Sequence, residues 1–325
     1  MHHNNNAALV KRELLIALIS AMLDDRLESD IDRIPYEMTS APDYEPIRCC
    51  VQHDRQILKT RLLARLGFSV EDYSDDGTPL AVYAKQALER TGVTGPILTV
   101  LDDACNACVK ARYLVTNACQ GCLARPCMMN CPKKAVRVVD GRAVIDTDRC
   151  VSCGICMREC PYHAIIEVPV PCERACPVGA VSKDEQGKER IDYSKCVFCG
   201  SCMRECPFGA MMDKSQIIDV LREKKQGKKI AVLFAPAVAG QFRASLGQLF
   251  SALGEAGFDA VFEVALGADI TAEKEAAEFL ERMEAGEPFM TTSCCPAYVE
   301  TVRKHNPTLA KRVSHTATPM HYTAE

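Results

Sequence analysis

Residues 150–165 read CVSCGICMRECPYHAI, and residues 196–211 read CVFCGSCMRECPFGAM. Eleven of the sixteen positions are identical, and Ile-Asp precedes each segment, at Ile145-Asp146 and Ile191-Asp192. Both segments have the form C-x2-C-x2-C-x3-C-P. They lie in a region, 105–206, that holds sixteen of the chain's twenty cysteines. Apolar helix and strand patterns fade there, and Cys-Pro and Cys-Gly take over.

The spacing is that of bacterial ferredoxin [4Fe–4S] sites. Three close thiolates on one tight loop each reach a different iron of a cube, while the fourth faces away and serves a partner cluster. The following proline ends the loop. Gly154 and Gly200, each directly after a ligand, let the backbone approach the cluster closely. Zinc is the competing reading, but zinc sites pair separated C-x2-C units into one tetrahedron. Three ligands in a run followed by Cys-Pro is a different pattern.

Working outward, CQGCLARPCMMNCP at 119–132 has two extra residues in its central gap. PCERACPVGAV at 171–181 supplies Cys172 and Cys176 without an opening C-x2-C, and an orphan C-x2-C stands upstream at Cys105 and Cys108. Four Cys-Pro-x-x-Ala endings fall at Cys131, Cys160, Cys176 and Cys206. The remaining twelve cysteines divide into the triplets Cys119/Cys122/Cys127, Cys150/Cys153/Cys156, Cys196/Cys199/Cys202 and, by elimination, Cys105/Cys108/Cys172. Sixteen thiolates suffice for four cubanes, with three clusters and spare cysteines as the smaller alternative. Cys131 to Cys150 is 19 positions and Cys176 to Cys196 is 20, against 36 from Cys160 to Cys196. A compact two-cluster module needs a short connector. The 119 run is therefore expected to pair with the 150 run, and the 172 piece with the 196 run. Each triplet then takes the other half's Cys-Pro cysteine. So many clusters in one region make a conduit for single electrons.

The whole chain has 325 residues, is 48% hydrophobic and 25% charged, and carries a net charge of -4. That balance gives no sign of a nucleic-acid partner. A secreted disulfide scaffold would suit a short chain without a core, and this chain is long enough to build one. ELLIALISAML at 13–23 reads as a packed helix, too short to span a bilayer and without a clear cleavage site. A reducing compartment follows, and metal ligation for the cysteines.

Residues 1–100 read as a helical N-terminal region, from LVKRELLIALISAMLDDRL, DRQILKTRLLARLGF and TPLAVYAKQALERTG. Cys49 and Cys50 fall in a Pro-containing connector and read as structural or free thiols, because no ligand spacing surrounds them. Residues 101–222 form the ferredoxin-like multi-[4Fe–4S] domain, and REKKQGKKI at 222–230 reads as a basic linker. From there IAVLFAPAV (strand), GQFRASLGQLFSALGEAGF (helix), DAVFEVAL (strand), ITAEKEAAEFLERMEAG (helix), FMTTS (strand end) and PAYVETVRKHN (helix) alternate as in an α/β domain. The expected fold class is α+β and multidomain.

The last two cysteines, Cys294 and Cys295, stand side by side in TTSCCPAYVE after 87 cysteine-free residues. IAVLFAPAVAGQF, VALGADITAE and FMTTSCCPAYVE together resemble the opening of the catalytic domain of iron-only ([FeFe]) hydrogenases, whose first signature loop is TSCCP. The upstream order, with CQGCLARPC and two ferredoxin-type runs, resembles the family's monomeric variant branch, and the resemblance covers roughly residues 100–325. It implies an H-cluster, a cubane joined to a two-iron centre. Cys295 would ligate the cubane and Cys294 would relay protons. The position between strand end and helix start suits a thiolate.

Ala297 and Tyr298 follow Pro296 where prototypical members have Gly-Trp. The family's second and third signatures, which carry the other ligands and an anchoring Lys, are not among these residues. The 228–325 segment is therefore expected to be the N-terminal part of a catalytic domain, in an incomplete version of a longer chain that would be inactive alone.

The resemblance implies reversible reduction of protons to H2, with electrons from ferredoxin or a similar low-potential carrier. It also implies hydrogenase maturation proteins as partners, no membrane segment, and an anaerobe's cytoplasm. The competing readings are a non-catalytic polyferredoxin-type electron-transfer protein and a hydrogen sensor or hydrogenase-like protein. His163 reads as a surface-loop residue that could also tune a cluster. His305, His315 and His321 have no partner spacing, and no G-x-G-x-x-G follows a strand.

Overall fold

The computed structural model describes residues 6–71, 77–108 and 113–325. Helices α1 (Asn6–Leu23), α2 (Val51–Arg65) and α3 (Leu80–Glu89) fall on the three amphipathic stretches. Helix α1 buries Leu14, Leu18, Ala21 and Met22, which share one face at a 3.6-residue repeat. The first backbone N–H groups of α3 have no partner within their own helix, and the Asp32 carboxylate accepts from Leu80 N (2.7 Å) and Ala81 N (3.1 Å).

The core built by these helices does not stop at residue 100. Leu14, Leu18, Leu62, Leu63 and Leu80 pack into one cluster with Leu101, Cys105, Ala210, Met212 and Ile218. The link is the antiparallel pair β1 (Leu98–Val100) and β8 (Met211–Asp213), with Thr99 opposite Met212. Successive side chains of a strand point to opposite faces. Met212 therefore joins the helical core, while Leu98, Val100 and Met211 join the cluster around Cys172, Cys196 and Cys202.

The cysteine-rich region holds two small modules. In the first, β2 (Tyr113–Val115) pairs with β5 (Ile165–Glu167), and β3 (Val136–Val139) with β4 (Arg142–Ile145), all antiparallel. In the second, β6 (Val181–Lys183) and β7 (Glu189–Ile191) form a hairpin beside β1 and β8. The stretch expected to be a linker at 222–230 begins as helix instead, because α4 runs Ile217–Lys225. Arg222 fixes it, donating from Nη1 to the carbonyls of Ala87, Leu88 and Arg90, where α3 ends with free acceptors.

Beyond it, β9 (Ala231–Phe234) and β10 (Ala260–Glu263) pair in parallel, joined through α5 (Leu246–Glu255), which opens on a Ser245–Gln248 capping box. Then follow α6 (Ala265–Glu284), α7 (Pro296–His305) and α8 (Pro319–Ala324). Helices α6 and α8 touch at Gly267, where a Cβ would stand 2.0 Å from the Pro319 carbonyl oxygen. This last part buries little: Phe242, Phe262, Leu266, Leu280 and Met320 are all exposed. No helix among the described residues is long and apolar enough to cross a membrane.

Candidate metal centres

The sixteen clustered cysteines gather in fours. Cys119, Cys122, Cys127 and Cys160 line one small cavity. Cys131, Cys150, Cys153 and Cys156 line a second, and Cys176, Cys196, Cys199 and Cys202 a third. Cys108 lies within electrostatic reach of Cys105 and Cys206, and Cys172 of Cys206 and Cys108. In each set, three cysteines come from one triplet and the fourth is a Cys-Pro cysteine from elsewhere, the crossing that connector length favours. Among the described residues, no three His, Cys, Asp or Glu side chains close on a point fit for a single metal ion.

Two backbone devices recur in all four sets. The residue before the second cysteine of the opening C-x2-C of each set is left-handed: Ala107 (φ 45°), Gly121 (61°), Ser152 (54°) and Phe198 (55°). Non-glycine residues pay roughly 1–2 kcal/mol for that conformation. The N–H of the same residue faces the preceding sulfur, at 3.4 Å for both Ser152 to Cys150 and Phe198 to Cys196. The third residue after every Cys-Pro cysteine is left-handed as well: Lys134 (51°), His163 (49°), Gly179 (61°) and Gly209 (57°). The alanine that follows then aims its N–H at the cysteine sulfur, from Ala135 to Cys131 (3.2 Å), Ala164 to Cys160 (3.4 Å) and Ala180 to Cys176 (3.1 Å). Those three alanines and Ala210 are all buried. His163 is thus an exposed turn residue.

As free thiols these groups sit badly. Burial first, then the charges of Glu189 and Cys206, push Cys172 up to about 12. Burial and then Cys196 push Cys202 up to about 11. At Cys131 burial opposes ionisation, but the N–H groups led by Ala135 prevail and hold the thiol below its ordinary range. Four thiolates that repel one another in one cavity, supplied with backbone N–H donors, need a cationic centre between them. A cubane of iron and sulfide fits that donor set.

The paired-cysteine loop is held from beneath. Thr291 N–H donates to the Arg312 carbonyl (2.8 Å), and Ser314 N–H to the Thr291 carbonyl (2.7 Å). Glu275 of α6 accepts from Thr292 Oγ1 (2.7 Å) and Ser293 N (3.0 Å), and the Ser293 hydroxyl donates to the Thr316 carbonyl. Ser293 is buried, so Cys294 and Cys295 stand exposed above it, with Cys295 capping α7 ahead of Pro296. No other cysteine lies between residues 207 and 325. The far end of α7 reaches the third quartet. Lys304 Nζ donates to the carbonyls of Tyr193 (3.1 Å) and Cys196 (2.7 Å), and His305 Nε2 meets the Lys195 carbonyl at 2.8 Å. Neither contact was visible in sequence, nor was the Glu275 clamp. His315 and His321 lie instead beside Glu278 and Glu325.

Comparison with known proteins places these parts. Residues 228–325 match the family described as iron only hydrogenase large subunit, C-terminal domain. Residues 143–166 and 189–212 match the 4Fe-4S binding domain. The last part of the chain is therefore related to the C-terminal domain of iron-only hydrogenases, and ferredoxin-type [4Fe–4S] domains precede it. Among characterised relatives, it is 37% identical over 106 residues to iron hydrogenase 1 of Clostridium pasteurianum, covering 28% of this chain and 18% of that protein. It is 40% identical over 53 residues to ferredoxin-1 of Caulobacter vibrioides, covering 16% and 47%. An uncharacterized ferredoxin of Methanocaldococcus jannaschii is 40% identical over 48 residues, covering 15% and 29%. The chain spans less than half the length of each of these relatives.

Proposed function

We propose that this chain relays electrons through four [4Fe–4S] clusters, one in each cysteine quartet, toward the paired-cysteine loop. Bound there, the clusters would each accept and pass one electron at low potential. The observation that carries the reading is the grouping of all sixteen cysteines into four crossed sets with the same two left-handed turns. The chain's own residues would hold each cluster by four sulfurs, screen it with backbone N–H donors, and exclude water with the buried alanines. The functional division would follow residues 1–100, 101–222 and 228–325, the first part backing the quartet of Cys105, Cys108, Cys172 and Cys206.

Helix α7 supports an exit route. It runs from Cys295 to the carbonyl of Cys196, and its ten residues span roughly 15 Å. The quartet of Cys176, Cys196, Cys199 and Cys202 would then deliver electrons to the loop. In an iron-only hydrogenase Cys295 would hold iron and Cys294 would move a proton in reversible H2 formation, with ferredoxin as donor and maturation proteins assembling the centre. Two adjacent thiols fill only part of a cubane's ligand set, and the relay through the four quartets needs no chemistry at either of them.

The test is anaerobic mixing of the reconstituted chain with reduced ferredoxin. Oxidation of about four equivalents of carrier per chain, without hydrogen release, is the expected result. A chain that takes up no electrons from any low-potential carrier would overturn the relay.

A further inference from the structure

Cys49 and Cys50 lie outside the quartets, and the relay does not use them. Cys49 Sγ is 3.8 Å from Cys50 Sγ and 3.2 Å from His53 Nδ1. The other ring nitrogen, Nε2, lies 3.0 Å from the backbone carbonyl of Asp103. A carbonyl only accepts, so Nε2 carries the proton and Nδ1 is left as an acceptor to which the single Cys49 proton can turn when it is not given to Cys50. A thiol on a base that a third group orients is the arrangement that activates nucleophiles.

Cys50 supplies the other half. It is the N-cap of the fifteen-residue α2, in extended backbone. The backbone N–H of His53, then the Cys49 thiol, lower the Cys50 pKa, and the same thiol–thiol hydrogen bond raises that of Cys49. Cys50 is thus the more acidic thiol of the pair and the better placed to attack, with Cys49 exposed and Cys50 half-buried. The segment is preset rather than loose. The buried Asp54 accepts from Tyr44 Oη (2.8 Å), Ile47 N (2.8 Å) and Arg48 N (3.2 Å). Arg48 in turn donates to Asn106 Oδ1 (2.8 Å) and the Ala104 carbonyl (2.5 Å). The pair is thereby fastened to the loop that carries Cys105 and Cys108.

We propose that Cys49 and Cys50 form a thiol–disulfide exchange site whose substrates are low-molecular-weight disulfides. The Cys50 thiolate attacks one sulfur of R–S–S–R, the S–S bond breaks, and R–S⁻ leaves and takes a proton from water. Cys49 then gives its proton to His53 Nδ1 and attacks the Cys50 sulfur. The Cys49–Cys50 bond forms, and the second R–S⁻ leaves with the proton from His53. Two protein thiols lose two electrons, and one external disulfide becomes two thiols. A disulfide between neighbours is strained and hence easily reduced, so an external dithiol resets the site.

The experiment treats the anaerobic, cluster-loaded chain with oxidised glutathione, quenches in acid, alkylates and digests with trypsin. Cleavage after Arg48 and Arg55 releases CCVQHDR, residues 49–55. In the unsubstituted chain this peptide is expected two hydrogens lighter and unalkylated. Cys49→Ser is expected to stop at glutathione on Cys50. Cys50→Ser is expected to react at least about tenfold more slowly, having lost the more acidic, attacking thiol. His53→Gln is expected to accumulate the mixed disulfide. A peptide that stays fully alkylated, or a Cys50→Ser chain that reacts as fast as Cys49→Ser, would overturn the proposal. Iron measured in the same samples shows separately whether the clusters are present.

Discussion

At the scale of single residues, a cube imposes the cysteine spacing, and connector length favours the crossed sets proposed here. The left-handed positions were legible only where glycine marks them, at Gly121, Gly179 and Gly209. Ser152, Phe198, Lys134 and His163 adopt the same conformation with no local signal. At Lys134 and His163 that conformation lets the N–H of the next alanine reach the cysteine sulfur. Cys160→Ala is expected to remove the cluster shared with Cys119, Cys122 and Cys127 while leaving that of its own triplet, Cys150, Cys153 and Cys156. Iron should fall by about a quarter, with one EPR signal lost. Gly121→Ala should disturb the same site, because its Cβ would stand 2.5 Å from the Gly141 carbonyl oxygen at a φ of 61°. The variant is expected to lose that cluster first on warming, read by absorbance. Glu189 is buried beside Cys172, paired with Lys183. Glu189→Gln removes a negative charge there and is expected to raise the potential of the quartet of Cys105, Cys108, Cys172 and Cys206 by tens of millivolts, on the order of a tenfold change in a one-electron equilibrium. A redox titration followed by EPR checks it.

At the scale of elements, the alternation of strand and helix after residue 228 was readable from periodicity, and β9 and β10 do pair in parallel. The tie between α6 and the paired-cysteine loop was not, because Glu275 and Glu278 look like any solvated helix face. Glu275→Ala is expected to free Thr292 and Ser293 at a cost of about 1–3 kcal/mol, seen as faster amide exchange at Ser293. Glu278 sits one turn further along and clamps Ser314 and His315. Burial opposes its ionisation, but the Ser314 hydroxyl, the His315 N–H and Arg282 outweigh it and hold the carboxyl down to about 2. Its folded pKa is thus below the unfolded value of 4.5. The stabilisation is complete above the unfolded pKa and is lost as the pH falls from there through about 2. Amide protection at His315 should weaken over that window in the unsubstituted chain. In Glu278→Gln it should be weak already at neutral pH and flat with acid. The contacts of Lys304 and His305 with residues 193–196 join positions more than a hundred residues apart, a separation at which local pattern says nothing.

At the scale of the whole molecule, composition suggests three parts, but it does not reveal the join between the first two. The N-terminal helices share a core with β8 and α4, because Met212 and Ile218 complete an apolar surface that begins at Leu14. The hydrogenase-like part has the reverse character. Its parallel strand pair leaves Phe262 exposed, although parallel sheets are ordinarily covered on both faces. Residues 228–325 made alone are expected to show no cooperative thermal transition, checked by calorimetry. The central claim is that sixteen cysteines form four crossed cubane sites, and iron and acid-labile sulfide per anaerobically reconstituted chain test it most directly. About sixteen of each, with Mössbauer spectra of [4Fe–4S] type only, is the expected result. A plateau near eight or twelve irons, unchanged when Cys105 and Cys108 are replaced, would contradict it.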